Sequence, residues 1–414
     1  MKTIKEDTNG SIVFLTDYVF DYRSPNAICA IEIIKKIRQK APDKKYYIFY
    51  LSNQKCSTKN YLDGIECISI KDSSLNRMSH SFKSSKQNLI KKILFNFISK
   101  FFAFINSFRF PISSNGVSKR AFKEIIKIEN LKMVVGFCFP FEFAKSLVKI
   151  KKYNASVKCV FYPLDVISHG RYLSKGIVRQ IQKINCKRLE KRTIKVVDYS
   201  ILIETNKKDY STRLKEYSKK IYYTGIPVLD MNQKAFSYSK NKNNILFTGS
   251  LNSRNPIPLL EMINKINTDF NKDYVVIFLG NNKVEHSYNF VFYKDFCTGS
   301  ELENEIVNSF CLLNIGNLEP HLLPSKLLRY ISTGKPIIHL SQIKDDPCEL
   351  YLKDIENCFV IRTVDIKENF NNLCNSLKIF LENCDTRKTS ALPESLRKST
   401  IDYSAELILK LLNN

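Results

Sequence analysis

Short, mainly apolar runs recur along the first half of the chain, each followed by a longer stretch of mixed polarity. They are Ser11–Thr16 (SIVFLT), Tyr46–Leu51 (YYIFYL), Leu131–Phe139 (LKMVVGFCF), Val157–Tyr162 (VKCVFY), Tyr199–Ile203 (YSILI) and Tyr222–Val228 (YYTGIPV). Runs this short, without strict alternation, predict strands buried on both faces. Between them the pattern predicts helices over Asn26–Lys40 and Ile177–Arg192, and over Lys207–Tyr217 with a cap from Glu204-Thr205-Asn206. Strand alternating with helix implies a parallel sheet. Residues 229–243 then turn polar and aperiodic, as an interdomain linker would. At Asn244–Ser250 (NILFTGS) the alternation starts afresh, with a helix over Pro256–Asn267 and strands at Tyr274–Leu279, Phe310–Ile315 and Pro336–Leu340. The prediction is an α/β protein with two Rossmann-like doubly wound domains, residues 1–228 and 244–392. Ligands of such sheets bind beyond the carboxyl ends of the strands, so the two domains are expected to face each other across a cleft.

The length of 414 residues suits two domains of this size. A hydrophobic content of 44% with 28 Phe and 21 Tyr excludes wholesale disorder, and only 12 Gly and 13 Pro exclude collagen-like or linker-rich chains. The 12 cysteines are scattered, without CxxC pairs or zinc-type spacing, which reads as free thiols in a reducing compartment. No signal-peptide core and no uninterrupted window of membrane-spanning length is apparent, so the expected location is cytoplasmic.

Charge changes the picture. Of the net +25, residues 1–225 carry 44 Lys/Arg against 18 Asp/Glu, whereas residues 226–414 carry 21 against 22. Ser73–Lys123 holds ten cations from Arg77 to Lys123 and no acid. Within it, residues 88–108 show a narrow polar stripe and a wide apolar one containing Phe95, Phe97, Phe101, Phe102, Phe104 and Phe108. Two readings stand: a helix lying on an anionic membrane surface, with residues 77–123 as the contact, or a helix packed on its own sheet with solvated lysines.

Candidate chemistry sits in loops after strands. In Thr248–Pro256, with Gly249 and Ser250, the glycine allows close backbone approach, the following helix offers free N–H groups, and Arg254 adds a planar cation; the combination suits a diphosphate, or is the ordinary lone glycine after a strand of any αβ unit. In residues 314–338, Asn317 and Glu319 lie in a polar loop and Pro324-Ser325-Lys326 is expected to open a helix, a second place for an anion; Lys326 reads equally as a solvated first-turn lysine. In the basic first domain, Asp165 and His169 follow a strand and read either as a general base or proton relay for an acceptor hydroxyl, or as ordinary loop residues.

The segment 323–338 (LPSKLLRYISTGKPII), preceded by Asn314-Ile-Gly-Asn317, resembles the donor-site segment of bacterial glycosyltransferases of the GT-B fold, family-4-like. Supporting matches are Phe247–Leu251 (FTGSL) and the series Glu190, Asp198–Ile203, Gly225–Val228. The final segment, residues 393–414 with a helix over Pro393–Leu412, looks like the one that crosses back onto the N-terminal domain in that fold. The resemblance implies transfer of a sugar from a nucleotide-sugar donor, held by the second domain, to a lipid-linked or glycan acceptor held by the first. Arg254 and Lys326 would stabilise the leaving diphosphate. No metal or other cofactor is expected, and Asp345-Asp346 falls in a loop. Many members carry two glutamates at positions that are His321 and Arg329 here. Glu319 is a candidate substitute for the first; Arg329 is a candidate for the donor's phosphates or carboxylate, or for pairing with an acid. The resulting expectation is a glycosyltransferase peripheral to the inner membrane face, making capsule, O-antigen or cell-wall polysaccharide. The alternatives are a polyanion- or nucleic-acid-binding protein, against which stands the lack of any reading motif, and a catalytically degenerate scaffold.

Overall fold

The structure, a computed structural model, describes residues 10–20, 24–52, 60–71, 110–111, 115–138, 141–169, 173, 176–229, 243–251, 254–280, 283–295, 297, 299–320, 322–324, 326–383 and 393–414. Two compact units emerge: residues 1–227 with 401–414, and residues 228–400.

The first unit is built on a sheet of eight strands among the described residues. They are β1 (Ser11–Thr16), β2 (Lys45–Ser52), β3 (Asn60–Leu62), β4 (Ile65–Lys71), β5 (Leu131–Gly136), β6 (Lys158–Phe161), β7 (Tyr199–Ile203) and β8 (Ile221–Thr224), ordered β3-β4-β2-β1-β5-β6-β7-β8. Only β3 is antiparallel, closing one edge against β4. Every residue of β1 is buried, as its unbroken apolar run requires of a central parallel strand. The helices α1 (Pro25–Lys40), α2 (Asn115–Ile125), α3 (Glu142–Tyr153), α4 (Gly176–Val196) and α5 (Lys207–Arg213) follow strands in turn. Helix α1 starts where Ser24 Oγ accepts the Ala27 N–H at 3.0 Å with Pro25 at the first position, the arrangement that satisfies an otherwise orphaned donor.

Two differences from the sequence reading concern helix ends. Asn206, at the N-cap of the helix that follows, makes no side-chain capping hydrogen bond, and that helix is short, Lys207–Arg213, followed by a 3₁₀ stretch Lys215–Lys220. The helix expected over Pro393–Leu412 is two elements: a 3₁₀ turn, Glu394–Ser399, in the second unit, and α11 (Ile401–Asn413) in the first. The break falls where the Ser399 carbonyl accepts the N–H groups of Val228 (3.1 Å) and Leu229 (3.0 Å), and Thr400 bridges to Leu229. Helix α11 lays Ala405, Ile408 and Leu411 against Ile33, Ile34 and Ile37 of α1, and Lys40 and Lys36 pair with Glu406 and Asp402 across that contact. Below it, Tyr162 Oη meets Ser404 Oγ at 2.9 Å. Of the linker reading, residues 230–242 lie outside the described residues.

The second unit contains β9 (Asn244–Thr248), β10 (Val275–Leu279), β11 (Val291–Lys294), β12 (Cys311–Ile315), β13 (Ile337–Ser341) and β14 (Cys358–Arg362), all parallel, in the order β11-β10-β9-β12-β13-β14. Its helices are α6 (Ile257–Asp269), α7 (Gly299–Asn308), α8 (Leu327–Ser332), α9 (Pro347–Leu352) and α10 (Thr363–Asn383). Leu259, Leu260 and Ile263 of α6 and Cys374, Leu377 and Leu381 of α10 bury against Ile245, Phe247 and Val276. The chain reverses direction across the sheet between β9 and β12. At such a reversal the loops leaving the two strands diverge to opposite faces and open a crevice between them, where ligands of these sheets bind.

Candidate functional site

The loop leaving β9 begins with a backbone that only glycine adopts easily: Gly249 has φ +128°. Its N–H donates to Leu279 O at 2.9 Å, and its carbonyl lies so close to Gly280 that a Cβ there would come within 2.0 Å of it. Thr248, one residue earlier, is fixed by Tyr330 of α8. The Tyr330 hydroxyl accepts the Thr248 N–H at 2.9 Å and lies 2.8 Å from Thr248 Oγ1, all buried.

Arg254 then folds back over this loop. Its guanidinium donates to Ser250 O at 2.8 Å and to Asn317 Oδ1 at 2.6 Å, and stands over the Phe247 ring, 6.0 Å from the centroid. Asn317, just past β12, donates in turn to Leu322 O at 2.7 Å. Two fork positions are thereby committed to neutral oxygens, which immobilises the guanidinium at the β9/β12 reversal. Gln342, after β13, ties in a third loop: its Oε1 accepts the Asn255 N–H at 2.7 Å and its Nε2 donates to Gly316 O at 2.7 Å. Gly249, Ser250, Arg254 and Asn317 are thus gathered at one end of one sheet. The sequence offered no signal for Gln342 or Tyr330 as the residues that hold them there.

Lys326 does not open a long helix. It is the residue before α8, which has six residues and no side-chain cap, so the expected anion site at the start of a helix at Pro324-Ser325-Lys326 reduces to the lysine side chain. Burial, then the neighbouring Arg329 cation, push its ammonium below the ordinary value, with Cys297 and Glu303 acting the other way. Pro324 is buried and its carbonyl accepts the Leu327 N–H at 3.1 Å. Arg329 is paired with Glu303 of α7, the pairing with an acid among its three sequence readings. Glu319 is half-buried, and its carbonyl accepts the Leu322 N–H at 3.2 Å. His321 and Ser325 lie outside the described residues.

In the first unit, Asp165 and His169 follow β6. Burial raises the Asp165 carboxyl to about 6, partly opposed by a hydrogen bond from the Val166 backbone. His169 ends a 3₁₀ turn, its Nδ1 3.0 Å from Ser168 Oγ. The sequence reading passed over a second acid of this unit, Glu142, which is buried at the first position of α3. Most of the basic segment 77–123, including residues 88–108, lies outside the described residues; α2 carries its Lys119, Arg120 and Lys123. Among the described residues no helix is long and apolar enough to cross a membrane.

No family model matches the sequence, and no curated protein matches it. Solved structures do. Sucrose-phosphate synthase from Thermosynechococcus elongatus superposes with a TM-score of 0.60 at 10% identity, covering 98% of both chains. The trehalose-6-phosphate synthase OtsA gives 0.60 at 8% identity over 98% of this chain and 99% of that one. The lipopolysaccharide outer core galactosyltransferase WaaB, in its apo form, gives 0.55 at 10% identity over 97% and 99%. With two parallel doubly wound units and likenesses that run the length of the chain, the protein has the GT-B fold.

Proposed function

We propose that the protein is a glycosyltransferase that moves a hexosyl or related sugar from a nucleotide-sugar donor to a lipid-linked glycan acceptor at the anionic inner face of the cytoplasmic membrane, in polysaccharide biosynthesis. The observation that carries the reading is Arg254, held by Ser250 O and Asn317 Oδ1 at the strand reversal of the second unit. A held cation beside the side-chain-free backbone of Gly249 suits the donor diphosphate. Breaking the sugar–phosphate bond leaves an electron pair and growing negative charge on the leaving oxygen, which Arg254 and Lys326 stabilise. The new bond forms from the acceptor hydroxyl, whose proton passes to Asp165 as base; a carboxyl raised to about 6 is ionised yet basic near neutrality. No metal takes part in this scheme. Arg329 pairs with Glu303 and remains a candidate for the donor's phosphates. Among solved likenesses, a Staphylococcus aureus TarM variant was determined with fondaparinux, α-GlcNAc-glycerol and UDP, which supports a nucleotide diphosphate and a glycoside as the ligand classes. The membrane part rests on the sequence of residues 77–123.

The test is a thermal-shift screen against UDP-, GDP-, dTDP- and CMP-sugars followed by transfer assays. One donor should raise the melting temperature. Arg254→Ala and Lys326→Ala should each lower transfer about 10²–10³-fold with the fold intact. Failure of every donor to shift melting would overturn the reading, and wild-type transfer by either variant would remove that residue's role. Replacing Lys91, Lys92 and Lys100 by Glu should release the protein from anionic liposomes; unchanged binding would remove the membrane claim.

A further inference from the structure

Two interior strands of the second unit carry a buried polar chain that the transfer scheme leaves unused. Parallel register sets Asn314 of β12 beside His339 of β13, and Asn314 Nδ2 lies 2.8 Å from His339 Nδ1. An amide nitrogen only donates, so Nδ1 is the acceptor and the imidazole proton sits on Nε2. Nε2 lies 3.2 Å from Asp346 Oδ2, on side chains that are both 0% exposed. Asp346 Oδ1 in turn accepts the Cys348 N–H at 2.9 Å and caps α9. The chain therefore runs from Asn314 through His339 to Asp346, all three residues being buried.

Gly316 lies directly on this chain. A Cβ there would come within 2.0 Å of Asp346 Oδ2 and 3.5 Å of His339 Cε1, so its backbone rests against both groups. The Gly316 N–H donates to Leu340 O at 2.9 Å, and its carbonyl accepts from Gln342 Nε2 at 2.7 Å. The next residue, Asn317, is the one whose Oδ1 receives Arg254. We propose that Asn314, His339 and Asp346 are positioning residues of the candidate donor site: the buried chain fixes the path of Gly316, and so the place where Asn317 presents its oxygen to the Arg254 guanidinium. The inference rests on the reading of Arg254 as a contact to the donor diphosphate, and the three residues act through Asn317 rather than on the donor itself.

Polar groups in this place are costly. A carboxylate taken out of water needs every one of its partners, and well-packed apolar side chains of similar volume would fill the space at least as stably. What the chain supplies in exchange is geometry, since hydrogen-bonded groups tolerate a narrow range of distance and angle where an aliphatic contact can slide. Burial acts to raise the Asp346 carboxyl, but His339 and then Cys348 outweigh it and hold the group below its ordinary value, so the carboxylate stays ionised toward the imidazole. The Cys348 thiol is raised by burial and then by Asp346, with Arg254 acting the other way, which puts the guanidinium within electrostatic reach of the chain.

The test uses the full-length protein, titrated calorimetrically with UDP, GDP and dTDP, at least one of which should bind the wild type. His339→Leu keeps the bulk and removes both hydrogen bonds, whereas His339→Gln keeps an amide N–H toward Asp346. His339→Leu should weaken binding of that nucleotide about tenfold or more, and His339→Gln should recover most of the loss. In an Asn317→Ala background His339→Leu should change binding by less than about twofold, because its effect passes through the Asn317 oxygen. Circular dichroism checks folding; where His339→Leu does not fold, Asp346→Asn, which keeps Oδ1 as the cap acceptor, takes its place in the same comparison. Proton–nitrogen correlation spectra of the histidine-labelled wild type should show the His339 ring protonated on Nε2 alone, a readout that needs no nucleotide. A ring protonated on Nδ1 overturns the chain. Unchanged affinity in the folded variant, or the same loss with and without the Asn317 side chain, overturns the positioning role and leaves the donor site standing. A wild type that binds none of the three nucleotides overturns the donor-site reading and this inference with it.

Discussion

Replacing Tyr330 by Phe removes one oxygen and keeps the ring. That oxygen accepts the Thr248 N–H at 2.9 Å and meets Thr248 Oγ1 at 2.8 Å, with Tyr330 only 1% exposed. The phenylalanine would leave a buried backbone donor and a buried hydroxyl without their partner, a cost of about 1–3 kcal/mol, larger than the net worth of an ordinary hydrogen bond because no water replaces the lost acceptor. For a unit of this size, 2 kcal/mol lowers the melting temperature by roughly 4–8 °C. Urea unfolding followed by circular dichroism should show the second unit's midpoint moving down with its slope unchanged, which marks lost stability rather than a changed denatured state. Tyr330→Phe and Thr248→Val should be non-additive by about 1 kcal/mol, since each breaks the same contact. Because Thr248 starts the Gly249–Arg254 loop, the donor KM should rise as well. A midpoint within about 0.5 kcal/mol of wild type would refute the claim that this pair fixes the loop.

Gly280→Ala places a Cβ within 2.0 Å of Gly249 O, so the β9 loop must shift; stability should fall by about 1–3 kcal/mol and donor-induced melting shifts should shrink, and unchanged values for both would refute the close approach. Asp165 gives a pH signature. Its folded carboxyl titrates at about 6, above its ordinary value, so the folded state binds the proton more tightly than the unfolded one. This group's contribution to stability is fully present below about pH 4 and is lost as pH rises through about 6. Asp165→Asn should flatten that part of the urea midpoint's pH profile, and in transfer assays it should remove the rise in rate through about pH 6 and slow transfer about 10²-fold or more; profiles matching wild type would sink the base assignment.

The sequence by itself determined the elements and their order. Runs such as SIVFLT and CLLNI are too short for helices and lack the alternation of half-buried strands, so their placement as central parallel strands followed from pattern alone. Gly249 and the planar charge of Arg254 were likewise legible, because backbone freedom and charge are properties of single residues. Tertiary structure decided what those residues touch. Arg254 meets Asn317 and Thr248 meets Tyr330, 63 and 82 positions apart, only because β12 lies beside β9 and α8 brings Tyr330 to the end of β9. The pairing of Arg329 with Glu303, 26 positions apart on two helices, depends likewise on which elements become neighbours. The split of the last helix at Thr400 was equally hidden, since it reflects the Ser399 carbonyl claimed by Val228 and Leu229 rather than any local breaker. Periodicity and capping are local and survive in one dimension. Side-chain partnership is set by which strands become neighbours, and no window of sequence contains that order.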